Sequence, residues 1–355
     1  MKNILQKIKS WFVKEPTVED KINELITHVE NPAHRVIYTA VLKNQIAYLE
    51  VANNMMREKC PNCGEHLPNT ISSSRLLKLT VKTLDKLIIL DDLIGIQPLA
   101  GPVGLIYKLR YKDHEEDDNI TRMSLEVLSK AVEANSRKLH ATWTIEAERD
   151  IKTQREVNIE DEIIDAVADG IAFEIISEVL DRIEGKSTKV KVRYPEPTAS
   201  ISVAINKAAN DIAKSTRRGA GNFAIVSPMI LAYLQTNNSH FVGTTDKPKK
   251  DSLSRLRYAG TLNGTTKIYC DVLSDKVIVG YKGSTGTDAG MVYSPYTLLM
   301  TSGPTIDPQN FTPRMTLMTR YGEDLDKLGK KYYKTLDIQV EQPDSVEEIL
   351  LEQAS

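Results

Sequence analysis

Between Leu105 and Lys112 the chain alternates, with Tyr107, Leu109 and Tyr111 interleaved with Lys108, Arg110 and Lys112. A period of two places these sets on opposite sides of a strand. A second extended run covers about Arg137 to Ala147, where Leu139, Ala141, Trp143 and Ile145 alternate with polar residues. The acidic stretch Asp113-His-Glu-Glu-Asp-Asp-Asn119 lies between the runs. Together they predict a two-stranded arm over residues 105–147 with an acidic tip. An isolated hairpin is marginal in water, so this arm must lie on something. Nothing adjacent in sequence offers a matching sheet. Replacing residues 108–142 with a short Gly/Ser turn should therefore leave a folded subunit that has lost a docking element.

The strongest helix signal runs over residues 159–184. Ile163, Ile164, Val167, Ile171, Ile175, Val179 and Ile183 recur at spacings of three and four, Asn158 is placed to cap the start, and Gly185 to end it. Such a helix is roughly 39 Å long at 1.5 Å per residue. Upstream, Ile4, Ile8, Trp11 and Phe12 fall near one face of a short helix over residues 3–13. Thr17-Val-Glu-Asp20 has the spacing of a capping box, a longer helix is predicted from Pro32 to Lys59, and another from Leu76 to Leu90. Pro98, Gly101, Pro102 and Gly104 then mark turns. Residues 201–300 read as α/β, with a helix at Val203–Lys214, strands at Phe223–Val226, Thr266–Asp271 and Lys276–Tyr281, and a helix opened by Ser227-Pro228. Residues 311–321 alternate again, and the last fifteen residues are acidic.

Charge and composition narrow the function classes. With 46 basic and 48 acidic residues the net charge is −2, so no global basic field draws the chain onto nucleic acid or an anionic membrane. The length of 355 residues suits two or three domains. No run of about 18 apolar residues appears, and the lysines at 2, 7, 9 and 14 break up any signal-peptide core. Three cysteines, Cys60, Cys63 and Cys270, form no closed disulfide set, which fits an intracellular, reducing compartment.

Cys60-Pro-Asn-Cys63-Gly-Glu-His66 is the one arrangement with metal-ligand spacing. Two thiolates and an imidazole supply three of the four ligands that a structural zinc takes. Cys270, another histidine or a neighbouring subunit would have to complete it. A plain turn carrying two thiols is the alternative. Gly219-Ala-Gly221 and Gly283-Ser-Thr-Gly286 are short glycine turns without the Gly-Lys-Ser/Thr of a phosphate loop or a dinucleotide fingerprint. Lys214, Arg217 and Arg218 form a small basic patch, read as a solvated or inter-subunit face. No nucleophile elbow and no zinc-protease motif is present. The carboxylates at 115–118 lack the apolar surroundings that would raise a general acid's pKa.

Ordered blocks carry a resemblance. They are Gln97-Pro-Leu-Ala-Gly-Pro-Val-Gly104, Glu133-Ala-Asn-Ser-Arg-Lys-Leu139, Ile205-Asn-Lys207, Arg218-Gly-Ala-Gly-Asn-Phe223, Val279-Gly-Tyr-Lys-Gly283, Asp288-Ala-Gly290, Tyr293-Ser-Pro-Tyr296, Asp307-Pro-Gln-Asn-Phe311 and Thr319-Arg-Tyr-Gly322. In that order, across about residues 85–322, the sequence resembles the major capsid proteins of T-even-type myoviruses, tailed bacteriophages with the Hong Kong 97-type fold. The resemblance implies an α+β chain with an N-terminal helical arm (1–75), a first peripheral-domain part (76–104), an E-loop hairpin (105–147) and a spine helix with more peripheral domain (148–199). An axial domain (200–290), a peripheral return (291–322) and a C-terminal extension with an acidic tail (323–355) follow.

It also implies a structural role with no catalytic residue and no cofactor beyond the zinc considered above. Copies would form hexamers, and in some shells pentamers, of an icosahedral head enclosing double-stranded DNA. The shell would assemble in the host cytoplasm and meet vertex, portal, scaffold or decoration proteins, with no sequence-specific DNA contact and no membrane partner. Lys108, Arg110, Lys112, Lys138, Arg217 and Arg218 are the inter-subunit contact candidates. Relatives lose an N-terminal segment after a glutamate, for which Glu24, Glu30 and Glu50 are candidates here. Relatives also carry an inserted domain in the E-loop region, whereas only about eleven residues, 113–123, separate the arm strands in this reading. Two alternatives keep the fold, a vertex paralogue and a host nanocompartment shell. A soluble α/β nucleic-acid-binding protein or enzyme is the alternative of a different class.

Overall fold

The computed structural model describes residues 17–59, 73–113, 123–146, 159–194, 197–237, 240–244, 255–307, 312–327 and 329–340. Helix α1 (Val18–Leu25) opens on a capping box in which the Thr17 hydroxyl accepts from the Asp20 N–H and the Asp20 carboxylate accepts from the Thr17 N–H. Helices α2 (Pro32–Lys59) and α3 (Ser73–Leu87) follow, the latter running into a 3-10 turn, Ile88–Asp92. Then come β1 (Gly95–Ile96), β2 (Val103–Asp113), β3 (Met123–Glu133), β4 (Asn135–Thr142), the long helix α4 (Ile159–Lys186) and β5 (Thr188–Tyr194). Helix α5 (Pro197–Thr216), β6 (Phe223–Val226), helix α6 (Pro228–Asn237), β7 (Phe241–Gly243), β8 (Leu256–Leu262), β9 (Thr266–Asp271) and β10 (Val277–Gly280) come next. The chain returns through β11 (Met291–Ile306), β12 (Pro313–Leu325), a 3-10 turn (Gly329–Tyr332) and β13 (Tyr333–Val340).

Seven strands form a mixed sheet in the order β5-β13-β10-β6-β9-β8-β7. Its central strands are apolar at successive positions because both faces are covered. Phe223, Ile225, Tyr269 and Ile278 face the main core, while Ala224, Val226, Ile268, Cys270 and Val279 pack beneath α5 and α6. The β8–β9 hairpin turns on Asn263 and Gly264, both at positive φ (53° and 69°), the geometry that Asn-Gly supplies. Strand β13 sits between β5 and β10. Residues 333–340 are therefore an interior strand of this sheet, not part of an appended extension.

A four-stranded sheet, β1-β11-β12-β4, packs under α4. This corrects the expected arm. The run from Arg137 does not pair with 105–112. Its strand, β4, lies antiparallel to β12 from Arg314↔Thr142 to Tyr321↔Asn135. The partner of β2 is β3, in register from Val103↔Glu133 to Asp113↔Met123, and these two strands form a sheet of their own. Period-two alternation gave no warning of β3, because it is interrupted where Val127 and Leu128 stand side by side.

The N-terminal helices are built into the body. Ile22, Ile26, Ile37, Tyr38, Val41 and Leu42 are buried in the same core as α3 and α4. Buried Gln45 of α2 uses its side-chain amide as a stand-in for a strand, donating to Leu299 O at 2.5 Å and accepting from Leu299 N at 3.4 Å. The expected N-terminal helices at Val18–Leu25 and Pro32–Lys59 are present, and part of each is packed into the core. Helix α4 ends one residue past Gly185, where the Ser187 N–H still donates to Ile183 O at 2.8 Å. It is tied to α3 by Lys86–Asp169 at 2.7 Å. A buried bidentate Arg255–Asp271 pair reaches α4 at Asp181, 3.5 Å away.

Candidate assembly surface

The β2–β3 hairpin leaves the body with a firmly held root. Ile106 and Val132 are buried against Val292 of β11. Lys108 Nζ lies 2.6 Å from Asp324 Oδ2, and Lys130 Nζ lies 2.5 Å from Asp324 Oδ1. Both members of the first pair are nearly closed to solvent, at 11% and 7% side-chain exposure. Burial alone would raise the Asp324 carboxyl, but hydrogen bonds and charge from the two lysines outweigh it and hold that carboxyl below its ordinary range.

The free edge of β2 is closed in a second way. The Gln97 amide accepts from Tyr107 N at 2.9 Å and donates to Tyr107 O at 2.8 Å and to Gly286 O. The Leu109 N–H donates to Thr287 O. One side-chain amide therefore replaces the missing neighbour strand. The glycine turn must come close to do this: a Cβ on Gly95 would sit 2.1 Å from Gly286 O. The Gly283–Gly286 turn thus serves packing.

The opposite face of the hairpin is apolar and bare. Val103, Leu105 and Tyr107 of β2 are 61%, 56% and 45% exposed, and Val127 of β3 is 59% exposed. Val127 lies directly across from half-buried Leu109, and exposed Ala131 across from Leu105. Single exposed apolar residues are ordinary, but a continuous row along one side of a hairpin marks a contact surface. No element of the described chain covers it.

This chain matches the Major capsid protein Gp23 family over residues 112–347, about two thirds of its length. It belongs to that family. The major capsid protein of Vibrio phage KVP40 is 29% identical over 231 residues, covering 56% of this chain and 45% of that protein. That of Enterobacteria phage T4 is 30% identical over 236 residues, covering 58% and 45%. The chain spans about half the length of the curated relatives it matches. Among solved structures, the capsid of Myoviridae phage XM1 aligns at TM-score 0.44 and 11% identity over 70% of this chain and 91% of that one. Gordonia phage Cozz aligns at 0.46 and 12% over 71% and 87%. The Gp23 match begins at the end of β2 and runs through β13, so the strand set aside in sequence as an extension lies inside the family segment.

The contact candidates divide. Lys108 is used within its own subunit, pairing with Asp324 and, at 3.7 Å, with Asp326. Arg218 is likewise internal, forming a fork with Asp288 at 2.6 and 3.1 Å that staples the α5–β6 turn to the glycine loop. Arg217 occupies that turn at φ 53° and has partners of its own. Lys138 is exposed on β4. The backbones of Arg110 and Lys112 lie on β2 opposite Glu126 and Ser124, and their side chains lie outside the described residues.

Helix 3–13, Asn158, the acidic tip from 114, the acidic tail from 341 and Cys60, Cys63 and His66 also lie outside the described residues. Cys270, a sequence candidate for a fourth zinc ligand, is buried in β9 under α5 and α6, where burial pushes its thiol up and favours the protonated form. Glu24 and Glu50 lie within α1 and α2, with Glu30 in the link between them. Among the described residues, no helix is long and apolar enough to cross a membrane and no cluster of three or more ligand side chains has metal geometry. Sequence reasoning missed Asp324, Lys130 and the clamp function of Gln97. Gln97 lay in a block quoted for the resemblance; Asp324 carried no local signal at all.

Proposed function

We propose that this chain is the shell subunit of a bacteriophage head, with the Hong Kong 97-type arrangement. In this reading β2–β3 is the E-loop that laps a neighbouring copy, α4 is the spine helix, the four-stranded sheet is the peripheral sheet and the seven-stranded sheet belongs to the axial domain. Copies form hexamers, with pentamers closing the vertices, and the icosahedral shell encloses double-stranded DNA. The chain carries no catalytic function.

The observation that supports this best is the bare apolar row Val103, Leu105, Tyr107 and Val127 on a rigidly rooted hairpin, in a chain of the Gp23 family. A subunit that must bury surface against its copies needs such a lap. The net charge of −2 suits a shell that confines DNA without reading it. Portal, scaffold and decoration proteins are the further partners proposed, and the virion capsid, assembled in the host cytoplasm, the location. Purified chain should give hexamers or shells by electron microscopy and sedimentation. A monodisperse monomer at every salt and protein concentration would overturn the proposal.

A zinc ion on Cys60, Cys63 and His66 is a separate proposal. Elemental analysis should then find about one zinc per chain, lost in a Cys60→Ser, Cys63→Ser variant.

A further inference from the structure

Beneath α4 lies a second charge cluster that the shell reading does not use. Glu178 and Arg182 sit one turn apart on α4, 3.8 Å from each other. Arg182 reaches down to Glu323 of β12. Arg137 of β4 pairs with Glu178, and the Tyr321 hydroxyl of β12 donates to the other Glu178 oxygen. Tyr293 of β11 stands opposite Glu323 in register, with its ring 5.3 Å from that of Tyr321. Among the described residues, these six side chains are the titratable and charged groups paired at this point from α4, β4, β11 and β12.

Two features set the pair of acids apart. Glu323 is only 8% exposed at the side chain, and its Oε2 is buried without a hydrogen-bond partner among the described residues. Arg182 also brings the two carboxyl groups together, pairing with Glu323 while lying 3.8 Å from Glu178. Two carboxylates only accept, so a bond between them requires a proton on one.

We propose that Glu178 and Glu323 form a proton-held latch between α4 and the four-stranded sheet, in which one proton, carried on Glu323, joins the two carboxyls, and its loss loosens α4 from β12. Charge placement decides which acid carries the proton. Burial pushes Glu323 up to about 7, with the Glu178 charge adding to the rise and Arg182 opposing it. Burial acts on Glu178 in the same sense, but the Tyr321 hydroxyl and Arg137 outweigh it, so Glu178 stays ionised. A carboxyl raised in the folded state stabilises it fully below its unfolded value, and that contribution fades as pH rises through the folded one. The latch is therefore shut at mildly acidic pH and released above about 7. This inference does not depend on assembly and is tested on the unassembled full chain.

Thermal melting of the full chain from about pH 5 to about pH 8.5 should show a transition that falls with rising pH. Glu323→Gln, a neutral mimic of the protonated acid, should abolish that fall. Glu184→Gln, which removes another glutamate of α4, should keep it. A flat wild-type profile, or an undiminished slope in Glu323→Gln, overturns the proposal. If Glu323→Gln does not fold, hydrogen exchange on the wild-type chain decides. Protection should drop with pH in α4 and β12 while β6 and β9 are unchanged, and a uniform drop or none would overturn the latch.

Discussion

Strand β12 buries Met315, Leu317 and Tyr321 and turns Arg314 to solvent, whereas β2 exposes Val103, Leu105 and Tyr107 and buries Lys108. The two strands alternate alike in sequence and are inverted in the fold. Sandwiched between β11 and β4 and covered by α4, β12 has its apolar side closed by its own chain. On β2 Lys108 meets the body beside buried Ile106, because Asp324 waits there, and among the described residues nothing covers Val103, Leu105 and Tyr107. Alternation establishes that a segment is a strand, and the partner charges in the body decide which face turns inward. An inverted strand is tolerable in a subunit whose apolar face another molecule will cover.

The largest expected effect comes from cutting the arm at two different places. Replacing residues 108–142 with a Gly/Ser turn removes both lysines of the root and all of β4, eight residues paired along β12. That variant should fail to fold, contrary to what the sequence suggested. Replacing only 110–126 keeps Lys108, Lys130 and β4. It should give a folded subunit with near-normal circular dichroism that no longer assembles. Normal shells from the shorter excision would confine the arm's assembly role to the row Val103, Leu105, Tyr107 and Val127, which it leaves in place.

Next comes the root. Asp324→Ala takes the nearer carboxylate from buried Lys108 and leaves it Asp326 at 3.7 Å, and breaking a buried pair from one side costs up to about 3–5 kcal/mol. Lys108→Met, which removes the charge and keeps the stem, should cost much less. Because Asp324 is held below its ordinary range, its contribution is present above the unfolded carboxyl value and lost as pH falls through the folded one. Wild type should therefore lose stability in that acid window, and Asp324→Asn should not show the same loss in thermal melts.

These contrasts also explain what could be read from sequence. Local signals were enough for the capping box at Thr17, helix Pro32–Lys59, strand Phe223–Val226 and strand Thr266–Asp271, whose bounds the structure reproduces. Periodicity reports burial on a face, and these elements bury one face or both within a short distance. The pairing of β2 was not legible, since nothing in Arg137–Thr142 distinguishes a partner for β2 from a partner for β12, some 175 residues later. The fates of Lys108 and Arg218 were equally hidden: Asp324 and Asp288 are 216 and 70 residues away in sequence. Of the candidate surface, the arm was visible and its orientation was not.

In the core of the ordinary strand, Leu317→Ala removes a fully buried side chain. It should destabilise the chain by about 2–5 kcal/mol, read from denaturant or thermal unfolding. Assembly should fail only to the extent that the subunit unfolds, so shells should recover at lower temperature.

The smallest effect on stability belongs to the inverted strand. Leu105 and Tyr107 project from the body, so Leu105→Ser and Tyr107→Ser delete little buried surface in the free subunit. Surface changes of this kind usually fall within about 0.5 kcal/mol of wild type. The backbone of Tyr107 stays clamped by Gln97 whatever its side chain, so the strand keeps its place. If a neighbouring copy covers this row, the double variant should melt like wild type and yet shift sedimentation from shells toward hexamers or monomers. Both readings are needed. Lost stability in the free subunit would mean that the row is buried against its own chain. Unchanged stability with unchanged shells would mean that nothing covers it, and β2 would then be an inverted strand without an assembly role.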